Sequence, residues 1–267
     1  MSKRIGLLEK ALGVKLLHRT TRRVALSPEG ETVCRWAQMI LADMDAMTED
    51  LSSGLSKPKG TLRISASPRL GRNHVAPIVS LMRKRHPDLQ VWLELLDRPV
   101  KLVEEGFDID NRVGDVQDPS LIAHHVSPSP RVLCASPAYL RKHGQPKTLQ
   151  DLAQHECLAF REREEGFGVW RMMGAKGWET VKVTGPMAAD IVFHWAREGH
   201  GILLLANWYA APDLAAGSLK RVLPAWQQPA DVWAMTAVRT SQSAKVRVCL
   251  EFLKTQLAEG TFALPKV

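Results

Sequence analysis

The sequence predicts an α/β protein with a short, basic, helical segment in front of the α/β part. Three observations lead to this prediction: strand and helix patterns alternate after residue 60, one apolar stripe runs through residues 33–55, and positive charge concentrates in residues 1–24. The length of 267 residues suits about two domains. With 45% hydrophobic and 24% charged residues, the chain can bury a core, which excludes wholesale disorder.

Composition and patterning also exclude two classes of protein. No stretch approaches the roughly 18–20 consecutive apolar residues that a membrane-spanning helix needs. Residues 1–10 are charged and lack the apolar run of a secretory signal. The four cysteines are far apart and form no CxxC pair, which is typical of reduced thiols. We therefore expect a soluble, cytoplasmic protein that has no membrane partner.

The N-terminal segment is strongly basic. Residues 1–24 hold seven basic residues and one acidic residue, a net charge of +6, whereas residues 25–56 carry a net charge of −5. A compact cationic segment attracts phosphate backbones, although a solvated basic surface explains the same charge. Apolar residues at helical spacing predict a helix over residues 2–12, and residues 14–26 are expected to form two short strands around a basic tip.

A long helix is predicted to begin at Ser27-Pro28-Glu29. Serine caps helices, proline fits the first helical position, and an acidic residue favours the N-terminal end of the helix dipole. Seven apolar residues then recur at spacings of three or four: Val33, Trp36, Ile40, Met44, Met47, Leu51 and Leu55. Such a stripe needs a partner surface, and both a second copy of the chain and packing on its own domain are consistent with it. The small, polar residues 52–60 predict a linker.

Beyond this linker, strand and helix patterns alternate over about 200 residues. The predicted strands are residues 61–66, 91–96, 109–113, 131–136, 181–183, 201–205 and 233–238. The predicted helices are residues 71–86, 99–105, 137–143, 191–198 and 245–257. This alternation predicts an α/β fold with mainly parallel sheets, in which ligands bind beyond the carboxyl ends of the strands.

Polar side chains at the ends of predicted strands are candidate ligand contacts. Ser65 and Ser67 end the first strand, where hydroxyl and backbone N–H groups can face an anion. Arg98 follows the second strand and can pair with a carboxylate, while Asn207 follows a strand of the second half. Each has a structural alternative, since a serine before a proline often only caps a helix and Arg98 can be a solvated loop charge.

Catalytic and metal-binding motifs are absent from the sequence, which contains no GxSxG, HExxH, P-loop or GxGxxG. His124 and His125 are adjacent and point to opposite sides of a strand, so we do not expect them to share a metal ion. Cys134 lies in an apolar strand, where a buried, inert thiol is expected rather than a nucleophile. We therefore predict that the protein is not an enzyme and has no cofactor and no metal site.

Several segments resemble the LysR-type bacterial transcriptional regulators. The second half of their winged helix-turn-helix, which runs directly into a dimerising linker helix, resembles SKRIGLLEKALGVKLLHRTTRRVALSPEGE (Ser2–Glu31). Five further segments resemble recurring parts of their effector-binding domain: EEGFDIDNRVGD (Glu104–Asp115), RVLCASPAYLRKHG (Arg131–Gly144), LQDLAQHECL (Leu149–Leu158), REGHGILLL (Arg197–Leu205) and DLAAGSLKRVLPAW (Asp213–Trp226). The similarity extends over nearly the whole chain.

The resemblance implies four parts: residues 1–27 as the remainder of a winged helix-turn-helix, 28–55 as a dimerising linker helix, 56–60 as a hinge and 61–267 as an effector-binding domain. The effector-binding domain is expected to fold like a type 2 periplasmic solute-binding protein, in two α/β lobes with a cleft between them. Lobe I is expected at residues 61–131 plus 238–267, and lobe II at residues 132–237.

The same resemblance assigns roles to residues. DNA contacts are expected from the recognition helix and the wing: Ser2, Lys3, Arg4, Lys10, Arg19, Thr20, Arg22 and Arg23. Basic side chains there neutralise phosphates, and a few recognition-helix side chains read base edges. Dimerisation contacts are expected from Trp36, Ile40, Met44, Met47 and Leu51. The resemblance also implies a small, often anionic metabolite as effector, and the candidate contacts for it are the strand-end residues named above, Ser65, Ser67, Arg98 and Asn207.

Family members begin with roughly 30 to 40 further residues, and the second helix of a helix-turn-helix reads the groove only when the first supports it. The sequence therefore predicts an N-terminally truncated chain, without the scaffold that would cover Ile5, Leu8 and Leu12. The resemblance implies a regulator that binds DNA and an effector and forms a homodimer or homotetramer. The alternative is a stand-alone small-molecule-binding protein that does not bind DNA.

Overall fold

The structure is a computed structural model, and it describes residues 3–19, 24–51, 58–114, 116, 118–158, 168–185, 192–237 and 243–265. The chain divides into two compact units. Unit 1 consists of Met1–Asn111, Asp118–His124 and Ala234–Phe252, and unit 2 consists of Arg112–Gln117, His125–Trp233 and Leu253–Val267. Residues 52–57 of the expected linker lie outside the described residues, and the boundaries expected for the hinge and the lobes stay predictions.

The N-terminal elements form as the sequence predicts. They are α1 (Lys3–Leu12), the antiparallel strands β1 (Leu17–Arg19) and β2 (Val24–Leu26), and the long helix α2 (Pro28–Leu51). Helix α2 begins at the predicted proline because Ser27 caps it: the Ser27 hydroxyl accepts a hydrogen bond from the N–H of Gly30, at 2.9 Å. The predicted helix over residues 2–12, the strand pair and the start of the long helix are therefore confirmed.

The remaining elements alternate between strand and helix. They are β3 (Gly60–Ala66), α3 (Pro68–Leu70), a π-helical turn (Gly71–Val75), α4 (Ala76–Arg85), β4 (Leu89–Leu95), α5 (Leu102–Glu105), β5 (Ile109–Val113), β6 (Leu121–Ser127), β7 (Pro130–Ala135), α6 (Pro137–His143), a 3₁₀ turn (Gln150–Gln154), β8 (Cys157–Leu158), β9 (Val169–Gly174), β10 (Gly177–Lys182), α7 (Val192–Arg197), β11 (Ile202–Ala206), α8 (Asn207–Ala216), β12 (Lys220–Pro229), β13 (Val232–Ala237) and α9 (Ala244–Ala258).

The first large sheet has five strands in the order β4-β3-β5-β13-β6. Strand β3 pairs in parallel with both β4 and β5, as the sequence predicts for this part of the chain. Leu62, Ile64 and Ala66, at alternate positions of β3, have no solvent exposure. The carboxyl ends of β3 and β5 therefore lie side by side, and the polar residues that end these strands are neighbours.

An ion pair between a half-buried lysine and a buried aspartate joins helix α9 to this sheet. The ammonium group of Lys245 lies 3.4 Å from Oδ1 of Asp108 and donates a hydrogen bond to the carbonyl of Thr61 at 2.7 Å. The other carboxylate oxygen of Asp108 accepts a hydrogen bond from the N–H of Arg63 at 2.8 Å. Burial raises the pKa of Asp108, and the charge of Lys245 opposes that shift.

The second large sheet has six strands in the order β10-β9-β12-β7-β11-β8, and the prediction of mainly parallel sheets is wrong for it. Strand β7 pairs antiparallel with both β11 and β12, and β9 and β10 form an antiparallel hairpin. Of the strand pairs in the described part of this sheet, only β11 with β8 is parallel. Alternation of strands and helices along the chain fixes neither the partner nor the direction of a strand, because a crossing chain can return to the sheet in either direction.

Both faces of this second sheet are buried. Leu133 and Ala135 of β7 belong to one apolar cluster, whereas Val132 and Cys134 belong to a cluster on the other face. Consecutive strand residues point to opposite faces, so a strand that is covered on both sides is apolar at every position. This explains why β7 and β11 were predictable from short, continuous apolar runs.

The sequence prediction missed several elements, among them β6, β8, α8 and β12. Helix α8 contains Pro212, which argues against a helix when the sequence is read alone. Strand β12 is irregular: its pairing register shifts between Val222 and Gln227, and Leu223 adopts a φ of 48°. A bulge of this kind interrupts the alternating pattern by which a strand is recognised.

Candidate DNA-binding and effector-binding sites

Helix α1 presents basic side chains to solvent. Lys3, Arg4 and Lys10 are all exposed. Lys3 and Lys10 are seven residues apart and therefore lie on the same side of the helix, separated by two turns. Cations arranged along one side of a helix can contact successive phosphates of a nucleic-acid backbone.

The structure also leaves apolar side chains of α1 open to solvent. Leu7, Leu8 and Leu12 are 65%, 42% and 48% exposed, while Ile5 is half-buried. Leu8 and Leu12 are therefore not covered by the residues that the structure describes.

The expected wing is described only in part. The backbone of Arg19 pairs with Val24 at the end of the β1–β2 ribbon, which places Arg19 next to the tip. Thr20, Arg22 and Arg23, together with Ser2 at the start of the chain, lie outside the described residues. Their expected contacts with DNA stay predictions.

Helix α2 carries an open apolar face. Trp36, Ile40 and Met44, at successive spacings of four, are 59%, 58% and 55% exposed, and Leu41 beside them is 60% exposed. The stripe therefore does not pack on the described part of its own domain at these positions. The side chains of Met47 and Leu51, which the same stripe includes, lie outside the described residues.

Of the candidate effector contacts, Ser65 is fully buried and its hydroxyl is engaged. It donates a hydrogen bond to Oδ1 of Asp110 at 2.7 Å, and the Asn111 amide donates to the Ser65 carbonyl at 3.3 Å. Ser65 is therefore held inside unit 1 by β5. The hydroxyl can donate to a ligand only if the Asp110 contact is exchanged, although its oxygen can still accept a hydrogen bond.

Ser67 stands at the start of α3 and is half-buried. Its backbone N–H donates to the carbonyl of Asn111 at 3.3 Å, and its own carbonyl accepts from Gly71 at 2.8 Å. Its side chain makes no capping hydrogen bond with the helix. Ser67 therefore does not cap the helix through its side chain, which was the structural alternative for this residue.

Arg98 is held by a carboxylate of its own chain. Nη1 of Arg98 donates to Oε1 of Glu105 at 2.8 Å, and Nη2 contacts the other carboxylate oxygen. This hydrogen bond raises the pKa of Arg98, with smaller contributions from Glu94 and Asp110, and it lowers the pKa of Glu105. The side chain of Arg98 remains 49% exposed.

Asn207 begins helix α8 in unit 2 and is 8% exposed. Its side-chain amide donates to the carbonyl of Pro265 at 3.1 Å, so one of its polar groups already holds the C-terminal part of the chain. The structure thus groups Ser65 and Ser67 at the end of β3 and places Asn207 in the other unit.

Two polar residues of β5 were not among the predicted contacts. Asp110 and Asn111 are 4% and 0% exposed, and Oδ1 of Asn111 has no hydrogen-bond partner within the described residues. A buried polar atom without a partner is costly, so Oδ1 of Asn111 can accept a hydrogen bond from a donor group of a ligand. The signal in the sequence was the polar run Asp110-Asn111-Arg112 in the middle of a predicted strand.

An open groove of about 250 Å³ lies elsewhere in unit 2. Its lining consists of Pro137, Leu140, Arg141, Gln145 and Lys220. None of the four predicted effector contacts lines it.

The two adjacent histidines and the cysteine considered in the sequence analysis do not come together. His124 hydrogen-bonds Thr236 at 3.0 Å, whereas His125 hydrogen-bonds Asp231 at 2.9 Å, so the two imidazoles serve different partners. Cys134 is fully buried, as predicted, and burial raises its pKa to about 12. In the described ranges, no three metal-ligating side chains cluster, and no helix is long and apolar enough to cross a membrane.

Comparison with known families identifies both parts of the chain. Residues 56–258 match the family described as LysR substrate binding domain. Residues 1–31 match the bacterial regulatory helix-turn-helix proteins of the lysR family. The chain belongs to the LysR family.

Curated relatives of this LysR-family chain are transcriptional regulators. The HTH-type transcriptional regulator DmlR of Escherichia coli (strain K12) is 45% identical over 262 residues, which are 97% of this chain and 85% of DmlR. The HTH-type transcriptional activator TtdR of Escherichia coli (strain UTI89 / UPEC) is 39% identical over 256 residues, 95% of this chain and 83% of TtdR. The relatives are thus regulators rather than enzymes.

Solved LysR-type structures share the fold. CrgA from Neisseria meningitidis aligns with a TM-score of 0.66 and 30% identity over 96% of this chain and 88% of CrgA. The full-length Vibrio cholerae virulence activator AphB aligns with a TM-score of 0.61 and 29% identity, covering 94% of this chain and 87% of AphB. These matches confirm the predicted fold class: an α/β protein with a partial winged helix-turn-helix and a linker helix, followed by a two-lobed, type 2 effector domain.

Proposed function

We propose that this LysR-family chain regulates transcription by binding DNA through α1 and the β1–β2 wing, in response to a small-molecule effector. The observation that carries the proposal is the continuity of residues 1–31, which match the helix-turn-helix family, with the long helix α2. Helix α1 places the exposed cations Lys3, Arg4 and Lys10 in this region. A stand-alone binding protein without a DNA role does not account for the match.

The proposed assembly is a homodimer or homotetramer formed through α2. The exposed apolar side chains of Trp36, Ile40 and Met44 support it, because a helix face of this kind is stable in water when a second helix covers it. Pairing of two copies places two DNA-binding segments side by side, which suits an operator with two half-sites. We propose that the protein acts in the cytoplasm, where it has access to the chromosome.

The proposed effector is a small anionic metabolite that contacts Ser67 and Arg98, with Ser65 and Asn207 as the other candidate contacts. The half-buried Ser67 has a side chain free of helix capping, and Arg98 supplies a positive charge that Glu105 holds in place. An anion that binds Arg98 must therefore replace Glu105 or share the guanidinium with it.

Selection of DNA from a random pool tests the proposed function. The purified chain is incubated with random duplexes, and bound DNA is recovered through several rounds and sequenced. The proposal predicts enrichment of one sequence with two related half-sites. Recovery of unenriched DNA, while small anions still raise the melting temperature, would support the stand-alone binding protein instead.

A further inference from the structure

One acidic side chain of α1 is buried although the helix is largely open to solvent. Glu9 is 9% exposed, whereas Leu7 and Leu8 beside it are 65% and 42% exposed. A buried carboxylate is costly unless polar groups satisfy it. Oε1 of Glu9 accepts a hydrogen bond from the N–H of Leu16 at 2.9 Å, and the N–H of Leu17 lies 3.4 Å from the same oxygen.

This contact fixes the end of the loop after α1. A hydrogen bond from a backbone N–H to a carboxylate is charge-assisted and stronger than one between neutral groups. Lys15 lies 3.7 Å from the other oxygen of Glu9, but its side chain is 82% exposed, so this ion pair contributes little. The hydrogen bonds from the backbone amides of Leu16 and Leu17 therefore outweigh the ion pair with Lys15.

The same residue, Leu16, is also tied to the start of α2. Its carbonyl accepts a hydrogen bond from the N–H of Ser27 at 3.0 Å. The Ser27 hydroxyl donates to the carbonyl of Lys15 and accepts from the N–H of Gly30 at 2.9 Å. Leu16 and Ser27 are 5% and 2% exposed, so these hydrogen bonds are shielded from water.

Gly30 allows this close approach. A Cβ atom at position 30 would lie 2.0 Å from the carbonyl oxygen of Leu16, a distance at which backbone must shift. Any other residue would push the first turn of α2 away from the Leu16 segment. Glycine is therefore required by the contact between α2 and this backbone rather than by its own conformation.

We propose that Glu9, Leu16, Ser27 and Gly30 form a rigid joint that sets the direction of α1 relative to α2. This inference rests on the proposed function. Glu9 holds the N–H side of Leu16 from α1, and Ser27 holds its carbonyl side from α2, so one residue connects both helices. When α2 rotates, α1 therefore rotates with it. Glu9 and Gly30 are positioning residues: they act on DNA recognition through the placement of α1.

The experiment compares the full chain with two Glu9 variants on DNA of two half-site spacings. Glu9→Ala removes the acceptor, and Glu9→Gln keeps a side-chain oxygen that can accept from Leu16. Fluorescence anisotropy measures affinity for the selected operator, for the same operator with its half-sites moved apart by about two base pairs, and for scrambled DNA. Lys254→Ala, an exposed substitution on α9, is the matched control.

We expect Glu9→Ala to lose about tenfold of its affinity for the selected operator. We also expect this variant to discriminate less between the two spacings and to bind scrambled DNA as the wild type does. Glu9→Gln should restore most of the affinity and the spacing preference. If Glu9→Ala instead unfolds the N-terminal segment, the variant should lose affinity for all three DNAs alike, without a selective change in its preference between the two spacings.

Two results would overturn the inference. Either Glu9→Ala binds both spacings like the wild type, or it loses affinity equally for all DNAs and Glu9→Gln gives no rescue. Both results leave the proposed function intact, because the wild type still binds its operator specifically. A wild-type chain that binds no sequence specifically overturns the proposed function, and the joint with it.

Discussion

The hydroxyl of Tyr139 lies 3.2 Å from Nδ1 of His155 and links helix α6 to the turn before β8. The same hydroxyl accepts a hydrogen bond from the backbone N–H of Glu156 at 2.9 Å. In the neutral tautomer of His155 that carries its proton on Nε2, Nδ1 accepts the hydroxyl proton of Tyr139. Burial and then the neighbouring charge of His143 lower the pKa of His155, while Asp151 opposes them.

This geometry predicts that acid destabilises unit 2 through His155. Because its pKa is lowered in the folded protein, the unfolded chain binds the proton more readily, and stability falls as the pH drops below the ordinary histidine value of 6.5. The decrease in stability ends once the pH is below the pKa of His155 in the folded protein. Thermal unfolding of the wild type and of His155→Gln, at about pH 5.5 and 7.5, measures it.

His155→Gln should show a smaller decrease in melting temperature on acidification than the wild type, because glutamine can accept from Tyr139 but does not titrate. His200→Gln is the control, since the side chain of His200 is 50% exposed. Equal acid sensitivity of His155→Gln and the wild type would contradict the role assigned to His155.

A second prediction concerns assembly. Ile40→Glu places a charge in the middle of the exposed apolar face of α2 and should raise the dimer dissociation constant by about tenfold or more. Sedimentation equilibrium of the variant and the wild type over a range of concentrations measures the change. Trp178→Glu, which alters an exposed aromatic residue of the β9–β10 hairpin, is the control. An unchanged dissociation constant for Ile40→Glu would show that another surface holds the oligomer together.

A third prediction concerns Arg98 and Glu105. If an anionic effector binds Arg98, Glu105 competes with it, so Glu105→Gln should bind the effector more tightly and Arg98→Ala more weakly. The readout is the ligand-dependent rise in melting temperature across a panel of small organic anions, since a ligand stabilises the folded state according to its affinity. Arg141→Ala, in the separate groove of unit 2, is the control. If Glu105→Gln and Arg98→Ala change the ligand-dependent rise in melting temperature in the same direction, Arg98 does not contact the effector.

A fourth prediction concerns the ion pair between Lys245 and Asp108. Lys245→Ala leaves a buried carboxylate without its cation, which should lower the free energy of unfolding by about 2–4 kcal/mol. Urea denaturation measures this change, with Lys254→Ala as an exposed control on the same helix. Because burial raises the pKa of Asp108, the variant should recover stability relative to the wild type as the pH falls and the carboxyl is protonated. A decrease in the free energy of unfolding that is the same at every pH would contradict the role assigned to Asp108.

Local patterns predicted much of the fold. The cap at Ser27, the apolar runs of β7 and β11 and the helix at Pro137 are encoded in neighbouring residues, so they could be recognised without a structure. Strand direction in the second sheet and the irregular strand β12 depend on partners distant in the chain. Local alternation carries no information on such partners.

The candidate sites were also predictable only where they depend on local features of the sequence. The position of Ser67 after a strand is a local feature, but the contact between Ser65 and Asp110 joins residues 45 positions apart. Glu9 belongs to the same class, since an acidic residue in an amphipathic helix is typical of a solvated face. Only the approach of Leu16 makes it a buried acceptor.

Sequence-specific DNA binding is the central claim, and a salt titration of the 267-residue chain tests it most directly. Anisotropy is measured with the selected operator and with scrambled DNA at several salt concentrations. The account predicts tighter binding to the operator, by about 10³-fold or more, and affinity that decreases as salt increases. It also predicts a shallower salt dependence for the Lys3→Ala, Lys10→Ala double variant. Equal affinity of the wild type for both DNAs at every salt concentration would contradict the account.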